Sequence, residues 1–199
     1  MPDIDSPAKL AVSPTGELTG NNGIYTKHLA DMTGVYRDSV AYDAAVAGLG
    51  GEELVYRVES QSYGPHSGAL TIGTSTLLPG RYGDEFAVTR GHLHAVSDRA
   101  ELYYCLSGRG VMLLETVDGH SEAVELTPGE AVNVPGEWVH RSVNVSDEPF
   151  VTLFTYATDA GQDYQLIADA HGMKNLVVSD GEGGWTVREN PEHTGYRKA

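Results

Sequence analysis

Only one cysteine, Cys105, stands in 199 residues. No disulfide can close within the chain, and nothing points to an oxidising compartment. Basic side chains are also scarce: 13 Lys and Arg face 28 Asp and Glu, a formal net charge of −15. Such a surface repels nucleic-acid backbones and anionic headgroups, which attract basic patches. No apolar run approaches the roughly 20 residues of a membrane helix. The opening residues MPDIDSPAKLAVSP hold neither a basic n-region nor an apolar stretch, so no secretory signal is expected. These absences lead to the expectation of a soluble, cytoplasmic, single-domain protein that partners neither nucleic acid nor membrane. A chain this long buries about 70% of its unfolded surface and needs no covalent staple. An anionic substrate fits the charge balance where a local site overcomes it.

Short strands and turn signals are what the chain has in quantity. From 51 onward, apolar or alternating runs recur at 54–59, 69–78, 85–89, 102–106, 111–117, 123–126, 131–134, 139–145 and 151–156. Pro79-Gly80, Ser107-Gly108, Asp118-Gly119, Pro128-Gly129 and Pro135-Gly136 punctuate them. Many short strands with regular turns predict an all-β sandwich or barrel. Residues 51–190 are read as one barrel domain, with a short helix over 164–170 and a strand over 175–179. Residues 1–50 are read as an N-terminal arm that wraps the barrel or a partner subunit, with a short helix over 37–49. Residues 191–199 are read as a loose tail.

The chemistry concentrates in Gly91-His92-Leu93-His94, followed six residues later by Glu101. In an extended segment, side chains two apart share a face, so His92 and His94 can grip one ion. Glu101 can add an oxygen, and His140 a third imidazole. Three imidazoles and a carboxylate suit a divalent transition metal, and Fe(II), Zn, Mn, Co and Ni all fit. His28, His66, His120, His171 and His193 read as surface or hydrogen-bonded histidines, and Cys105 as a buried apolar residue. Arg90, Arg99 and Arg141 read as partners of the many carboxylates, one of them free to guide an anion. Glu101 and Tyr103 share one face of their strand, which makes Glu101 a candidate base and Tyr103 a candidate hydrogen-bonding partner of Glu101 or substrate.

These residues resemble the two motifs of the cupin superfamily: His92, His94, Glu101 and Gly108, then Gly129, Pro135, His140 and Asn144. Two departures stand out. The spacer before Glu101 is longer than usual, and Glu137 occupies a position where glycine is usual, with Gly136 one place early. The ligands are intact, so the turn geometry is expected to differ and the site is not. The chain is most similar to the cupin-type glucose-6-phosphate isomerases over about 33–190, most specifically at 89–95, 98–104, 134–144 and 159–164.

That resemblance implies a homodimeric, jelly-roll-like cupin barrel with one divalent ion per subunit, Fe(II) foremost. It implies interconversion of glucose 6-phosphate and fructose 6-phosphate, either through an enediolate with Glu101 as acid–base or by a hydride shift assisted by the metal. Phosphate or substrate contacts carry over onto Tyr56, Ser75, Thr89, Gly91, Tyr156 and Tyr164. Ser75 stands where the family usually has threonine, and Gln162 where some members have histidine. On the same barrel, a non-haem iron dioxygenase and a non-catalytic sugar-binding protein remain the alternatives.

Overall fold

A computed structural model describes residues 6–66 and 68–197. Residues 1–5 of the expected arm and 198–199 of the expected tail lie outside the described residues. In chain order the elements are β1 (Gly23–His28), a 3-10 turn (Leu29–Met32), α1 (Ser39–Leu49), β2 (Leu54–Ser62), β3 (Leu70–Leu77), β4 (Arg81–Tyr82), β5 (Glu85–Phe86), β6 (Glu101–Ser107) and β7 (Gly110–Thr116). There follow β8 (Ser121–Leu126), β9 (Ala131–Val134), β10 (Trp138–Asn144), β11 (Phe150–Ala157), α2 (Gln165–Asp169), β12 (Asn175–Ser179) and β13 (Trp185–Glu189). No described helix is long and apolar enough to cross a membrane.

Every strand pairing is antiparallel. One wall is a six-stranded sheet in the order β1-β2-β3-β11-β6-β9. The opposite wall joins β10-β7-β8 to β13-β12-β5-β4. The joint is the loop after β5, which bridges β10 at Val88↔Val143 and His92↔His140. Apolar side chains from both walls fill the space between, among them Leu77, Cys105, Val111, Val139 and Phe150. This is the all-β, two-walled barrel expected from the sequence.

Local chemistry explains the element ends. Asp38 caps α1 by accepting from the Ala41 N–H at 2.9 Å, and Gly50 ends it. Only Tyr42 of α1 is buried, so this helix lies on the surface. Asp163 Oδ1 accepts from the N–H groups of Gln165 and Leu166 (2.9 and 3.1 Å) and starts α2.

Residues 23–28, within the expected arm, form an additional strand on the large sheet, and Leu29 and Met32 reach the main core. Contacts hold the chain at Asn190, just before the expected tail, and at Tyr196 within it. Asn190 donates to the carbonyls of His171 and Met173 at 3.0 and 2.8 Å. Tyr196 donates to the buried Glu115 carboxylate at 2.5 Å. Glu115 also accepts from the N–H groups of Lys174 and Asn175, both at 2.8 Å.

Candidate functional site

Four side chains meet inside the barrel mouth. His92 and His94 come from the loop after β5, Glu101 from the start of β6, and His140 from β10. All four are buried, and one ligand atom from each lies within 4.8 Å of the others. The two walls therefore meet at this point: Glu101 belongs to the large sheet, and His140 to the opposite one. β6 alternates as predicted. Glu101, Tyr103 and Cys105 point inward, while Leu102 and Tyr104 face out.

The hydrogen bonds of the imidazoles decide what the cluster can hold. His94 Nδ1 donates to the Arg99 carbonyl at 2.8 Å, and His140 Nδ1 to the Trp138 carbonyl at 3.0 Å. A carbonyl only accepts, so the proton of each neutral ring sits on Nδ1 and leaves a bare lone pair on Nε2. Both Nε2 atoms face Glu101 Oε2 at 3.1 Å. That sets acceptor against acceptor unless a metal ion or a ring proton lies between them. His92 Nε2, buried and 3.9 Å from the same oxygen, has no hydrogen-bond partner. Carbonyl-oriented imidazoles with their free nitrogens turned toward one carboxylate are the arrangement a divalent metal requires. The donor set fits such an ion.

In the absence of an ion, a proton on the imidazoles takes up the carboxylate's charge. Burial alone would raise the Glu101 carboxyl, but contact with His140 and His94 outweighs it and lowers it to about 2. Burial, and then the neighbouring His140, hold His92 well below the usual imidazole range, so it is neutral. Burial also works against a charged His94, yet its bonds to Glu101 and Arg99 bring it above the usual value.

The two departures from the cupin motif prove to be one feature. The long spacer between His94 and Glu101 folds over the turn that precedes β10. A Cβ at Gly136 would stand 2.6 Å from the Asp98 carbonyl, so glycine is needed there for space. The next residue, Glu137, has φ 70, and its N–H donates to the Ser97 carbonyl at 2.5 Å. Ser97 in turn donates its hydroxyl to the Glu137 carboxylate at 2.6 Å. Arg99 pins the spacer from the other side through both oxygens of Asp159, at 3.0 and 2.9 Å. The turn differs, and the four candidate ligands still converge.

The cluster opens onto a small cavity of about 50 Å³. Tyr56, Ser75, Thr89, Gly91, Tyr156 and Tyr164 all line it, together with Glu101 and Tyr103. Several of these groups keep a proton free to donate. Thr89 Oγ1 accepts from the Ser142 N–H at 3.0 Å, which leaves its own proton to donate. Burial raises Tyr56 and Tyr156 to about 12 and Tyr103 well above the usual phenol value, so all three stay protonated.

Sequence reasoning did not assign Tyr25, Val58, Ser142 or Phe154 to the cavity wall. Tyr25 reaches in from β1, and Tyr164 donates to Gln162. Arg141 was read as a carboxylate partner or as a guide for an anion; it bonds the Arg90 carbonyl and lines the cavity. Phe154 forms an apolar side of the cavity. Alternation along β11 gave a signal for Phe154; Tyr25 had none. Asn144 of the second motif is structural: it donates to the carbonyls of Leu77 and Glu148, both at 2.9 Å.

Known proteins resemble this chain over the same span. The sequence model of the family described as Glucose-6-phosphate isomerase (GPI) matches residues 26–194. A glucose-6-phosphate isomerase of Sinorhizobium medicae is 43% identical over 176 residues, covering 88% of this chain and 82% of its own. A putative glucose-6-phosphate isomerase of Rhizobium meliloti is 41% identical over 177 residues, covering 89% and 82%. A glucose-6-phosphate isomerase of Thermococcus gammatolerans is 41% identical over 177 residues, covering 89% and 90%.

Proposed function

The chain belongs to the glucose-6-phosphate isomerase family, and on that premise we propose that it interconverts glucose 6-phosphate and fructose 6-phosphate in the cavity beside Glu101. The observation that carries this reading is the meeting of two chemistries in one barrel mouth. A carboxylate among three imidazoles adjoins a wall of phenols and hydroxyls suited to a phosphorylated sugar. That polar wall favours a sugar phosphate over the apolar substrate a dioxygenase would take.

His92, His94, His140 and Glu101 would hold one divalent ion, Fe(II) by preference. When bound, the ion polarises the sugar oxygens and so acidifies the adjacent C–H bond. Glu101, ionised throughout the working pH range, takes the proton from C2 of the open-chain aldose. It returns that proton to C1, while a hydroxyl proton passes between O1 and O2, and the ketose results. Tyr103, held protonated beside Glu101, donates a hydrogen bond to the reacting oxygens or to the carboxylate. Tyr56, Ser75, Thr89, the Gly91 N–H, Tyr156 and Tyr164 bind the phosphate and hold the chain of the sugar in register. Low basicity in Glu101 limits the rate unless the C–H bond is acidified, which ties activity to the ion. A homodimer and a cytoplasmic location complete the proposal. Leu102 and Tyr104, exposed on the outer face of the large sheet, support a dimer contact there.

A coupled assay tests the proposal. Fructose 6-phosphate is supplied, and glucose 6-phosphate is followed with its dehydrogenase, using protein stripped by chelator and reloaded with Fe(II), Mn(II) or Zn(II). Activity should vanish on chelation and return with an ion. Absence of turnover with every ion would overturn the isomerase reading, and undiminished turnover after stripping would overturn the metal requirement.

A further inference from the structure

Arg141 is a buried cation with no carboxylate in contact among the described residues. It follows His140 on β10, is 5% exposed, and forms no ion pair among the described residues. Its Nη2 donates to the Arg90 carbonyl at 2.7 Å, while its buried Nε has no partner. Two buried carboxylates act on it from a distance, but their oxygens accept from backbone N–H groups and none contacts the guanidinium. Glu85 accepts from the N–H groups of Arg37 and Asp38, and Glu115 from those of Lys174 and Asn175. A guanidinium out of water is strongly disfavoured unless an anion meets it. Arg141 lines the cavity, so the missing anion has a route to it.

The residues around Arg141 point to how it acts. The peptide joining Arg90 to Gly91 is trans, so the Gly91 N–H lies opposite the carbonyl that Arg141 holds. Gly91 has φ +73, and a Cβ there would stand 2.9 Å from both Arg141 Cβ and the His140 carbonyl. Backbone pairs clamp the loop to β10 on either side. Thr89 N–H donates to the Ser142 carbonyl and His92 N–H to the His140 carbonyl, each at 3.0 Å. Arg141 thus fixes the peptide whose N–H adjoins the cavity. A positive charge on the carbonyl side also strengthens that N–H as a donor.

We infer that Arg141 is the positioning residue and counter-charge of the phosphate end: it aims the Gly91 N–H and supplies the positive field that lets a chain of net charge −15 take in a phosphate monoester dianion. The inference rests on the sugar-phosphate reading above and adds the residue that sets affinity within it. Arg141 would act through the Arg90–Gly91 peptide and its field, so substrate affinity depends on it more than the proton transfer does.

The test compares Arg141→Met and Arg141→Lys with the wild type as metal-loaded proteins, with melting temperature and metal content recorded for each. Inorganic phosphate binding is measured by calorimetry, and KM and kcat with fructose 6-phosphate. Arg141→Met should weaken phosphate binding about 10-fold or more and raise KM by a similar factor, with kcat within about threefold, as expected for loss of a charge-assisted contact. Arg141→Lys keeps the charge but not the fork, so about a threefold effect is expected, a partial rescue. Phosphate affinity and KM within twofold of wild type in a folded variant, or a loss confined to kcat, would overturn the inference. If Arg141→Met does not fold, Arg141→Lys decides on the same criteria. Wild-type protein that binds phosphate yet turns over no sugar phosphate would sink the isomerase reading while leaving the binding comparison intact. Wild-type protein that binds no phosphate at millimolar concentration would overturn the inference itself.

Discussion

His92 and His140 hold each other by their backbones. Each donates its N–H to the other's carbonyl, at 3.0 and 2.9 Å. The pair ties the loop after β5 to β10, so two of the candidate ligands are placed independently of their own side chains. Removing the His92 side chain therefore leaves this joint standing. His92→Ala should keep a cooperative melt but lose metal, with affinity falling at least about 100-fold because an inner ligand is gone. Elemental analysis after dialysis checks it, and an unchanged metal content would remove His92 from the site.

Glu101→Gln discharges the carboxylate without changing its shape. Turnover should fall about 10²–10⁴-fold, the usual share of a general base. The three imidazoles should retain the ion, more weakly. Activity normalised to bound metal is the measurement, and near-normal turnover would end the role given to Glu101.

Glu115→Ala would leave the N–H groups of Lys174 and Asn175 without an acceptor and free the Tyr196 hydroxyl. Each buried orphan costs about 1–3 kcal/mol. At about 2–4 °C per kcal/mol, the melting temperature should drop roughly 5–15 °C. Calorimetry reads this directly, and a drop below about 2 °C would mean that the C-terminal segment is held by other contacts.

Glu85 gives a pH signature. Burial raises its carboxyl above the usual value, against the pull of the Asp38 and Arg37 N–H groups. A folded-state value above the unfolded one means that the ionised carboxylate opposes folding. Its contribution is therefore fully favourable below the unfolded value and is lost as pH rises through the folded one. Glu85→Gln keeps a carbonyl to accept both N–H groups and removes that titration. The stability of the variant relative to wild type should increase from pH 4 to pH 7. A difference that stays flat or shrinks across this range would contradict the assigned shift.

The metal cluster was legible because its residues announce themselves locally. Two histidines at spacing two on an extended segment and a carboxylate opening the next strand are short-range patterns. The strands with one buried and one exposed face, such as β6, were legible for the same reason. β1 was not: Gly23–His28 is an edge strand with no fully buried side chain, so its alternation is faint. β13 is likewise an edge strand, mostly exposed. Which arginine faces the cavity was not legible, because the partner of Arg141 is a carbonyl 51 residues away and a chain rich in Asp and Glu suggests salt bridges instead. The longer spacer and the displaced Gly136 were each visible, but only their contact at Asp98 shows why they occur together.

Tyr25 brings the question of assembly order into the chemistry. It sits on the first strand, yet it shares the cavity wall with Tyr164, which follows the last strand of the large sheet. Ribosomal synthesis delivers these two residues at opposite ends of the process. The cavity wall closes only when the edge strand has zipped onto β2 and the segment before α2 has docked. Such a distant pairing forms late, because loop closure must precede it. Turnover is thus expected to lag behind the appearance of barrel secondary structure during refolding, and a nascent chain halted before α2 would carry all four candidate ligands in a cavity without its outer wall.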